Sequence, residues 1–497
     1  MQRNILEYLE RTVRRVPDKT AFYAETENLT FRQLHRQALA IGSRLIREGA
    51  TRRPVAVFMD KQPKTIAAFL GVLYSGGFYV PLDGEMPRFR IEKILGSLHP
   101  AACICDDTTL SLARQFPGLG TLCGYDEIAF GAIDEKSLDR IRQRQIDTDP
   151  AYIVFTSGST GVPKGVVGCH RAVIDYIENL CDVLNFDENT VFGNQTPLYF
   201  DACLKEIIPT LKYGASTHLI PRKLFMQPVK LVEYLNEKKI NTLCWVVSAL
   251  TFISSFGTFE KVKPEFLRTV AFASEVFPVR QLNLWRKTLP DARFINLYGP
   301  TETTGICCYY EVDRELDEEE AVPIGKPFPN TEIILLDENN RIPEPGEQGE
   351  ICIRGTRLTW GYFGDPERTE TAFVQNPLNP YYPERIYRTG DIGRYNGRGE
   401  LLFLSRRDHQ IKHMGHRIEL GEIEAAANAC PGVKVCGCVY DASAQKITLY
   451  YTGDPVQLRQ YLKEKLPRYM LPHSLTRLAV MPLTPNGKID RNALMHR

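Results

Sequence analysis

The chain has almost no excess charge of either sign. Its 497 residues carry 61 Lys and Arg against 60 Asp and Glu, a net charge of +1. That balance argues against a protein that captures nucleic acid or an anionic membrane by bulk charge. Long apolar runs are missing as well: none reaches the roughly 20 residues of a membrane span. The N-terminal "MQRNILEYLERTVRRVPDK" has acids where a signal peptide needs an apolar core, so the expectation is a cytoplasmic protein. Cysteine is not scarce, at thirteen residues, but metal-type spacing is absent. The close pairs Cys103/Cys105, Cys307/Cys308 and Cys436/Cys438 lack the two-residue gap of a zinc knuckle or thioredoxin-type motif, and no matching Cys/His pair follows. Most cysteines lie in apolar runs such as "AACICD" and "VKVCGCVYD", which reads as buried free thiols. Internal repeats are absent. A Walker A loop is absent too: "TSGSTGVPKG" (Thr156–Gly165) puts Gly165, not Ser or Thr, after Lys164.

Apolar residues make up 43% and charged residues 24%, the balance of a soluble globular protein. The length calls for more than one domain. Over the first four hundred residues, short apolar runs alternate with helix-spaced segments. "VAVFMD", "FYVPLD", "AACICD", "AYIVF", "NTLCWVV", "TVAFAS" and "RFINLYG" read as strands, with "KTIAAFLGVLYSGG" and the stretch after His170 as helices. The fold class is therefore α/β, with layered, mostly parallel sheets. The texture changes after about residue 330. "TEIILLDENNRIPEPGEQGEICIRG" reads as two strands, and "RYNGRGELLFL" as a hairpin turning at Asn396-Gly397. Helix and strand signals after Arg407 suffice for a small α+β domain of about 90 residues. The expected division is 1–404 as the core, with a small β subdomain, and 405–497 as a small mobile domain. The acidic "RELDEEEA" near residue 316 reads as a solvated face.

Four short stretches carry chemistry. The Thr156–Gly165 loop follows a strand and precedes a helical pattern, so its backbone N–H groups suit an anion. Gly158, Gly161 and Gly165 permit close approach, while Thr156, Ser157, Ser159 and Thr160 add hydroxyls and Lys164 a point charge. "NLYGPTE" offers Tyr298 for stacking, a hydroxyl at Thr301 and, at Glu302, a carboxylate suited to Mg²⁺ beside phosphates. "YRTGD" reads as a turn whose Asp391 accepts from ribose hydroxyls, and "NGKID" sets Lys488 on a turn. Each alone has an ordinary turn as its bland reading.

Together with "YSGGFYVPLD", "YFDA", "GEICIRGTRLTWGYF" and "SRRDHQIKHMGHRIELGEIE", these stretches, in this order, resemble the adenylate-forming superfamily over essentially the whole chain. The resemblance is strongest to the adenylation domains of nonribosomal peptide synthetases, with D-alanine–carrier-protein ligase related. It implies an ATP-dependent ligase working in two steps. An amino-acid carboxylate attacks the α-phosphate of ATP, giving aminoacyl-AMP and pyrophosphate. The phosphopantetheine thiol of a carrier protein then displaces AMP. An acyl- or aryl-CoA synthetase, or a D-alanine–carrier-protein ligase, is the alternative. The resemblance also implies roles. The loop from Thr156 through Lys164 holds the departing phosphates. Asn296 bonds the adenine edge, Tyr298 stacks on it with Gly299 adjoining, and Asp391, Phe403 and Arg406 line the ribose. Thr301 and Glu302 hold phosphate and Mg²⁺, and Lys488 bridges carboxylate and α-phosphate. Asp408 is the hinge, and Lys412 and Gly415 belong to the thioester-step loop. His413-Met414 departs from the family's usual Ile-Arg before that glycine, which puts carrier contacts in doubt.

The same resemblance implies a substrate pocket of Asp201, Ala202, Lys205, Trp245, Ala271, Ala273, Leu297, Gly305 and Ile306, plus Lys488. Asp201 would take the substrate ammonium; a helix N-cap is its bland reading. Two readings of Lys205 stand. It pairs an acidic side chain, or its stem lines a wall made bulky and apolar by Trp245 and Leu297. The leaning is to a small or medium amino acid, with chirality open. No carrier serine motif follows "NGKIDRNALMHR" and no His-His condensation motif precedes residue 1, so the expectation is a free-standing enzyme or a domain excised from a larger synthetase.

Overall fold

The computed structural model describes residues 2–158, 162–407, 410–442, 444–454, 456–483 and 489–496. Two compact units emerge: Met1–Gly84, Leu98–Val154 and Val166–Ser405 form the first, and Glu85–Ser97, Phe155–Gly165 and Arg406–Arg497 the second. The cut at Ser405 falls within one residue of the expected one. The grouping differs, because Glu85–Ser97 and Phe155–Gly165 join the C-terminal residues, whereas the sequence division kept both in the core.

Two large sheets build the first unit. The nine-stranded sheet runs Lys326–Pro327, Cys308–Glu311, Arg293–Tyr298, Thr269–Ala273, Thr242–Val246, Val191–Asn194, Ser216–Leu219, Thr20–Tyr23, Asn28–Thr30. Its central strands pair in parallel, and antiparallel pairs finish both edges. The six-stranded sheet is ordered Thr121–Gly124, Ala102–Cys105, Pro54–Phe58, Phe78–Leu82, Pro150–Thr156, Lys164–Cys169. Every residue of Pro54–Phe58, Phe78–Leu82, Thr242–Val246 and Thr269–Ala273 is buried. That is what makes parallel strands covered on both faces read as unbroken apolar runs. Helices Phe31–Arg47, Pro63–Tyr74, His170–Leu184 and Leu204–Tyr213 send their apolar faces into one core shared with both sheets.

A five-stranded sheet supplies the β subdomain, with Thr331–Leu336, Gly349–Gly355, Arg385–Tyr395 and Phe373–Gln375 in order and Leu401–Arg406 on Arg385–Tyr395. Two local expectations are corrected here. The Arg385–Tyr395 to Leu401–Arg406 connection does not turn on Asn396-Gly397. Its left-handed residue is Gly399, at φ 74°, while the Asn396 side chain accepts from the N–H groups of Arg398 and Glu400 at 2.9 Å each. Asn396 thus shapes the loop through its amide, not by adopting a positive φ. Asp391 lies not in a turn but inside the strand Arg385–Tyr395, one residue after a bulge. Gly390 takes φ 74° there, which only glycine adopts without strain. Its N–H donates to Glu350 Oε1 at 3.1 Å.

The C-terminal part of the second unit pairs Val433–Asp441 antiparallel with Lys446–Gly453 and adds Ser474–Arg477 in parallel. Helices Leu420–Asn428 and Leu458–Lys465 cover a core of Ile423, Ile447, Leu449, Leu462 and Met470. All thirteen cysteines are buried and free, matching the sequence reading. Among the described residues, no helix is long and apolar enough to cross a membrane.

Candidate active site

The strand Arg293–Tyr298 organises the candidate site of the first unit. Side chains alternate across it. Leu297 joins Ala271, Ala273, Ile306 and Cys244 in one core, while Tyr298 packs on the opposite face with Cys307, Ile324 and Leu401. At its end the chain folds back on itself. A Cβ at Gly299 would lie 2.2 Å from the Gly305 carbonyl oxygen, so no larger residue fits. The short helical turn Thr301–Thr303 follows, then Thr304 at φ 58° and Gly305 at φ 87°.

Several nucleotide-site candidates meet on this frame. The Tyr298 hydroxyl donates to Asp391 Oδ2 at 2.5 Å, and both side chains are buried. Burial and Asp391 together hold the Tyr298 phenol far above its usual pKa. Phe403 packs against the same cluster. Asn296 Nδ2 donates to the Pro323 carbonyl at 2.7 Å. Glu302 is fully buried, and its Oε1 accepts the Tyr362 hydroxyl at 2.9 Å. Among the described residues, no group of three or more His, Cys, Asp or Glu is arranged to hold a metal. A single buried carboxylate still fits a magnesium ion carried chiefly by a ligand's phosphates, since that ion takes only one or two protein oxygens in such sites.

The acyl-site candidates surround Asp201, which opens the turn Asp201–Cys203 ahead of the helix Leu204–Tyr213. The N-cap residues of the turn and of that helix are Phe200 and Cys203, so Asp201 is the cap of neither. Its Oδ1 lies 3.4 Å from the Thr301 hydroxyl, and its Oδ2 is buried without a partner. Burial, reinforced by Glu302 and opposed by Lys205 and Thr301, pushes its pKa up to about 6. Buried carboxylates pay for desolvation in this way unless a cation arrives. Glu206 is pushed up to about 7 by burial against Lys205, Asn194 and Lys61. Lys61 donates to the carbonyls of Asn194 and Gln195 at 2.9 and 3.0 Å, anchoring the segment that leads to Asp201.

Ala202 sits beside Asp201, and Gly305 faces the Tyr176 ring, 3.3 Å from where its Cβ would be. Ala271, Ala273, Leu297 and Ile306 share one core, but Trp245 does not belong with them. It packs on the other side of the sheet with Phe272, Val270 and Phe294, and its indole donates to the Gly193 carbonyl at 2.6 Å. The face that strand shares with Ala271 carries Cys244 instead, which pairs in register with it. A one-residue slip in strand assignment moves every side chain to the wrong face, and the single sequence holds no register signal against it.

Sequence reasoning also missed the groups that brace this wall. Arg357, 1% exposed, donates from Nε to Asp175 Oδ2 and from Nη1 to the Ile306 carbonyl, each at 2.8 Å, and its guanidinium lies over the Phe328 ring. Removing one partner of a buried ion pair strands the other charge. Arg357→Met is therefore expected to destabilise the first unit by about 3 kcal/mol, read by denaturant titration. A second substitution, Asp175→Asn, is expected to restore part of the loss; equal stability of Arg357→Met and wild type would contradict the pairing.

The remaining candidates fall in the second unit. Thr156 Oγ1 is buried without a partner, the Ser157 hydroxyl donates to the Arg417 carbonyl at 2.8 Å, and the Gly158 N–H donates to Glu422 Oε2 at 3.3 Å. Glu422 Oε1 in turn pairs with Arg90 Nη1 at 2.5 Å, both buried. Lys164 opens the strand Lys164–Cys169, and Arg406 closes Leu401–Arg406. Lys412 lies in Gln410–His413, which pairs with His416–Glu419 through a two-residue turn. Met414 and Gly415 take φ 49° and 78° there, the signs of a type I′ turn. Ser159, Thr160, Gly161, Asp408 and Lys488 lie outside the described residues.

Residues 9–363 match the family described as AMP-binding enzyme. Tyrocidine synthase 1 of Brevibacillus parabrevis is 33% identical over 503 residues, covering 99% of this chain and 45% of the relative. A solved holo-protein, PA1221, described as a nonribosomal peptide synthetase protein with adenylation and carrier domains bound to a vinylsulfonamide inhibitor, superposes with a TM-score of 0.83 at 26% identity, covering 100% of this chain and 84% of the other. The four-domain nonribosomal peptide synthetase AB3403, bound to AMP and glycine, gives 0.72 at 27% identity, covering 99% of this chain and 36% of the other. The chain spans less than half the length of the curated relatives it matches.

Proposed function

The chain belongs to the AMP-binding enzyme family, and from that premise we propose that it activates an amino acid with ATP as aminoacyl-AMP and passes it to a carrier-protein thiol. One observation carries the amino-acid reading: Asp201 is a buried carboxylate with an unpartnered oxygen and a raised pKa, beside Thr301 and Glu302. A substrate ammonium is the partner such a group lacks.

In the first half-reaction a carboxylate oxygen bonds to the α-phosphorus and the bond to pyrophosphate breaks. Two anions must approach, so fixed positive charge and oriented donors at the phosphate are the main requirement. Lys488 is assigned that place by its motif. Asp201 anchors the ammonium and so fixes the direction of the attacking carboxylate. Tyr298 and Asp391 are assigned to the nucleoside; the hydrogen bond between them holds both side chains in one orientation. Mg²⁺, when held at Glu302, supplies charge neutralisation on the phosphates. Tyr362 orients the Glu302 carboxylate through the bond to Oε1. Water exclusion protects the mixed anhydride, and the second half-reaction consumes it with the phosphopantetheine thiol. Lys412 and Gly415 are assigned to that step by the resemblance.

The test is ATP–pyrophosphate exchange against single amino acids of both chiralities, with fatty and aryl acids beside them. Exchange with an amino acid is the expected result; exchange confined to fatty or aryl acids would refute the role of Asp201. Comparing coenzyme A with a carrier protein as acceptor tests the second step.

A further inference from the structure

Lys61 links the two large sheets of the first unit. It follows the strand Pro54–Phe58 of the six-stranded sheet. Its Nζ donates to the carbonyls of Asn194 and Gln195 at 2.9 and 3.0 Å, where the strand Val191–Asn194 of the nine-stranded sheet ends. Both residues thus stand at the carboxyl ends of their strands, the edge at which open α/β sheets hold ligands. The sheet ladder runs out here. The Asn194 carbonyl still accepts the Ile220 N–H at 3.1 Å, and the next carbonyl, Gln195, is met by Lys61.

The chain then leaves the sheet and carries Asp201 on its way into the helix Leu204–Tyr213. Asn194 closes this excursion as well as opening it. Its Nδ2 donates to Glu206 Oε2 in the first turn of the helix, and both residues are fully buried. The side chains that follow Asn194 add no such anchor: Gln195 Oε1 and Thr196 Oγ1 are buried with no partner among the described residues. Lys61 and Glu206 also feel each other's charge. Burial pushes the lysine down and the glutamate up, each opposed in part by the other. Desolvating two charged groups to hold one backbone bend carries a cost that a neutral tether avoids, and titratable groups perturbed in this way gather at functional sites.

Resting on the amino-acid reading of Asp201, we propose that Lys61 is a positioning residue for substrate recognition. It locks the entry of the excursion over residues 195–205, and Glu206 locks the exit through the same Asn194. The closed clasp sets where the Asp201 carboxylate meets the substrate ammonium. Lys61 touches neither substrate; it acts through Asp201. Small misplacements of a positioned group carry large kinetic costs, so opening the clasp weakens the hold on the amino acid and leaves the nucleotide side as it was.

A double-mutant cycle read by ATP–pyrophosphate exchange tests the proposal, with the amino acid that the wild type activates as the probe. Lys61→Met is expected to raise the KM for that amino acid about tenfold and to leave the KM for ATP within about twofold of wild type. In the Asp201→Asn background the same substitution is expected to change the amino-acid KM by less than about twofold, because groups that act as one unit are not additive. Lys61→Arg, which keeps two donors for the two carbonyls, is expected to recover most of the wild-type KM. Lys61→Gln reaches at most one carbonyl and carries the same cycle, with the same expected loss, if Lys61→Met does not fold. An amino-acid KM that stays at the wild-type value while Asp201→Asn raises it overturns the proposal and leaves the reading of Asp201 standing. An equal rise in the KM for ATP, or a full effect of Lys61→Met on top of Asp201→Asn, also overturns it by making Lys61 a merely structural tether. Exchange confined to fatty or aryl acids defeats the reading of Asp201 and the proposal with it.

Discussion

Asp201→Asn is expected to lower kcat/KM for the activated amino acid by about a thousandfold, mostly through KM. Truncating one side of a buried charge pair costs about 2–5 kcal/mol, and here the substrate ammonium would lose its counter-charge. The same residue predicts a pH dependence. Burial, with Glu302 adding and Lys205 and Thr301 opposing, raises Asp201 to about 6 in the free protein. Only the ionised carboxylate pairs with an ammonium. The wild-type KM is therefore expected to rise as pH falls through about 6, approaching tenfold per unit below it, and to be flat above. Asn does not titrate, so this limb is expected to vanish in Asp201→Asn. An unchanged KM in the variant, or a limb that survives it, would remove Asp201 from the ammonium site.

Lys488→Ala is expected to separate the two half-reactions. Losing a cation aimed at charge that develops in the transition state typically costs about a hundred- to a thousandfold, so exchange should fall by at least that much. Transfer from a supplied aminoacyl-adenylate to a thiol should continue near the wild-type rate. Equal loss of both steps would assign Lys488 a structural role.

What could be read in the sequence was local. Parallel strands announced themselves because burial on both faces turns them into unbroken apolar runs, as in "VAVF" and "TVAFA". Asp201 stood out through the resemblance that "YFDA" carries; the apolar helix after it read only as a reason for an N-cap. Long-range facts were hidden. Trp245 and Cys244 are neighbours in sequence, and only the pairing of Cys244 with Ala271 says which one shares the face of Ala271. Arg357 looked like any loop arginine, since its partners Asp175 and Ile306 lie 182 and 51 residues away. The bulge at Gly390 needed the pairing with Gly349–Gly355 to become visible. The grouping of Glu85–Ser97 and Phe155–Gly165 with the C-terminal residues is likewise a property of contacts that no local pattern encodes.

The thirteen buried thiols have a practical consequence. Thiol-directed reagents attack the exposed thiolate, and every native cysteine is shielded. Burial also pushes Cys105 and Cys123 up to about 11, and Cys352 and Cys436 up to about 12. A single cysteine placed on the surface should therefore take a fluorophore selectively, without first stripping the chain of its own thirteen.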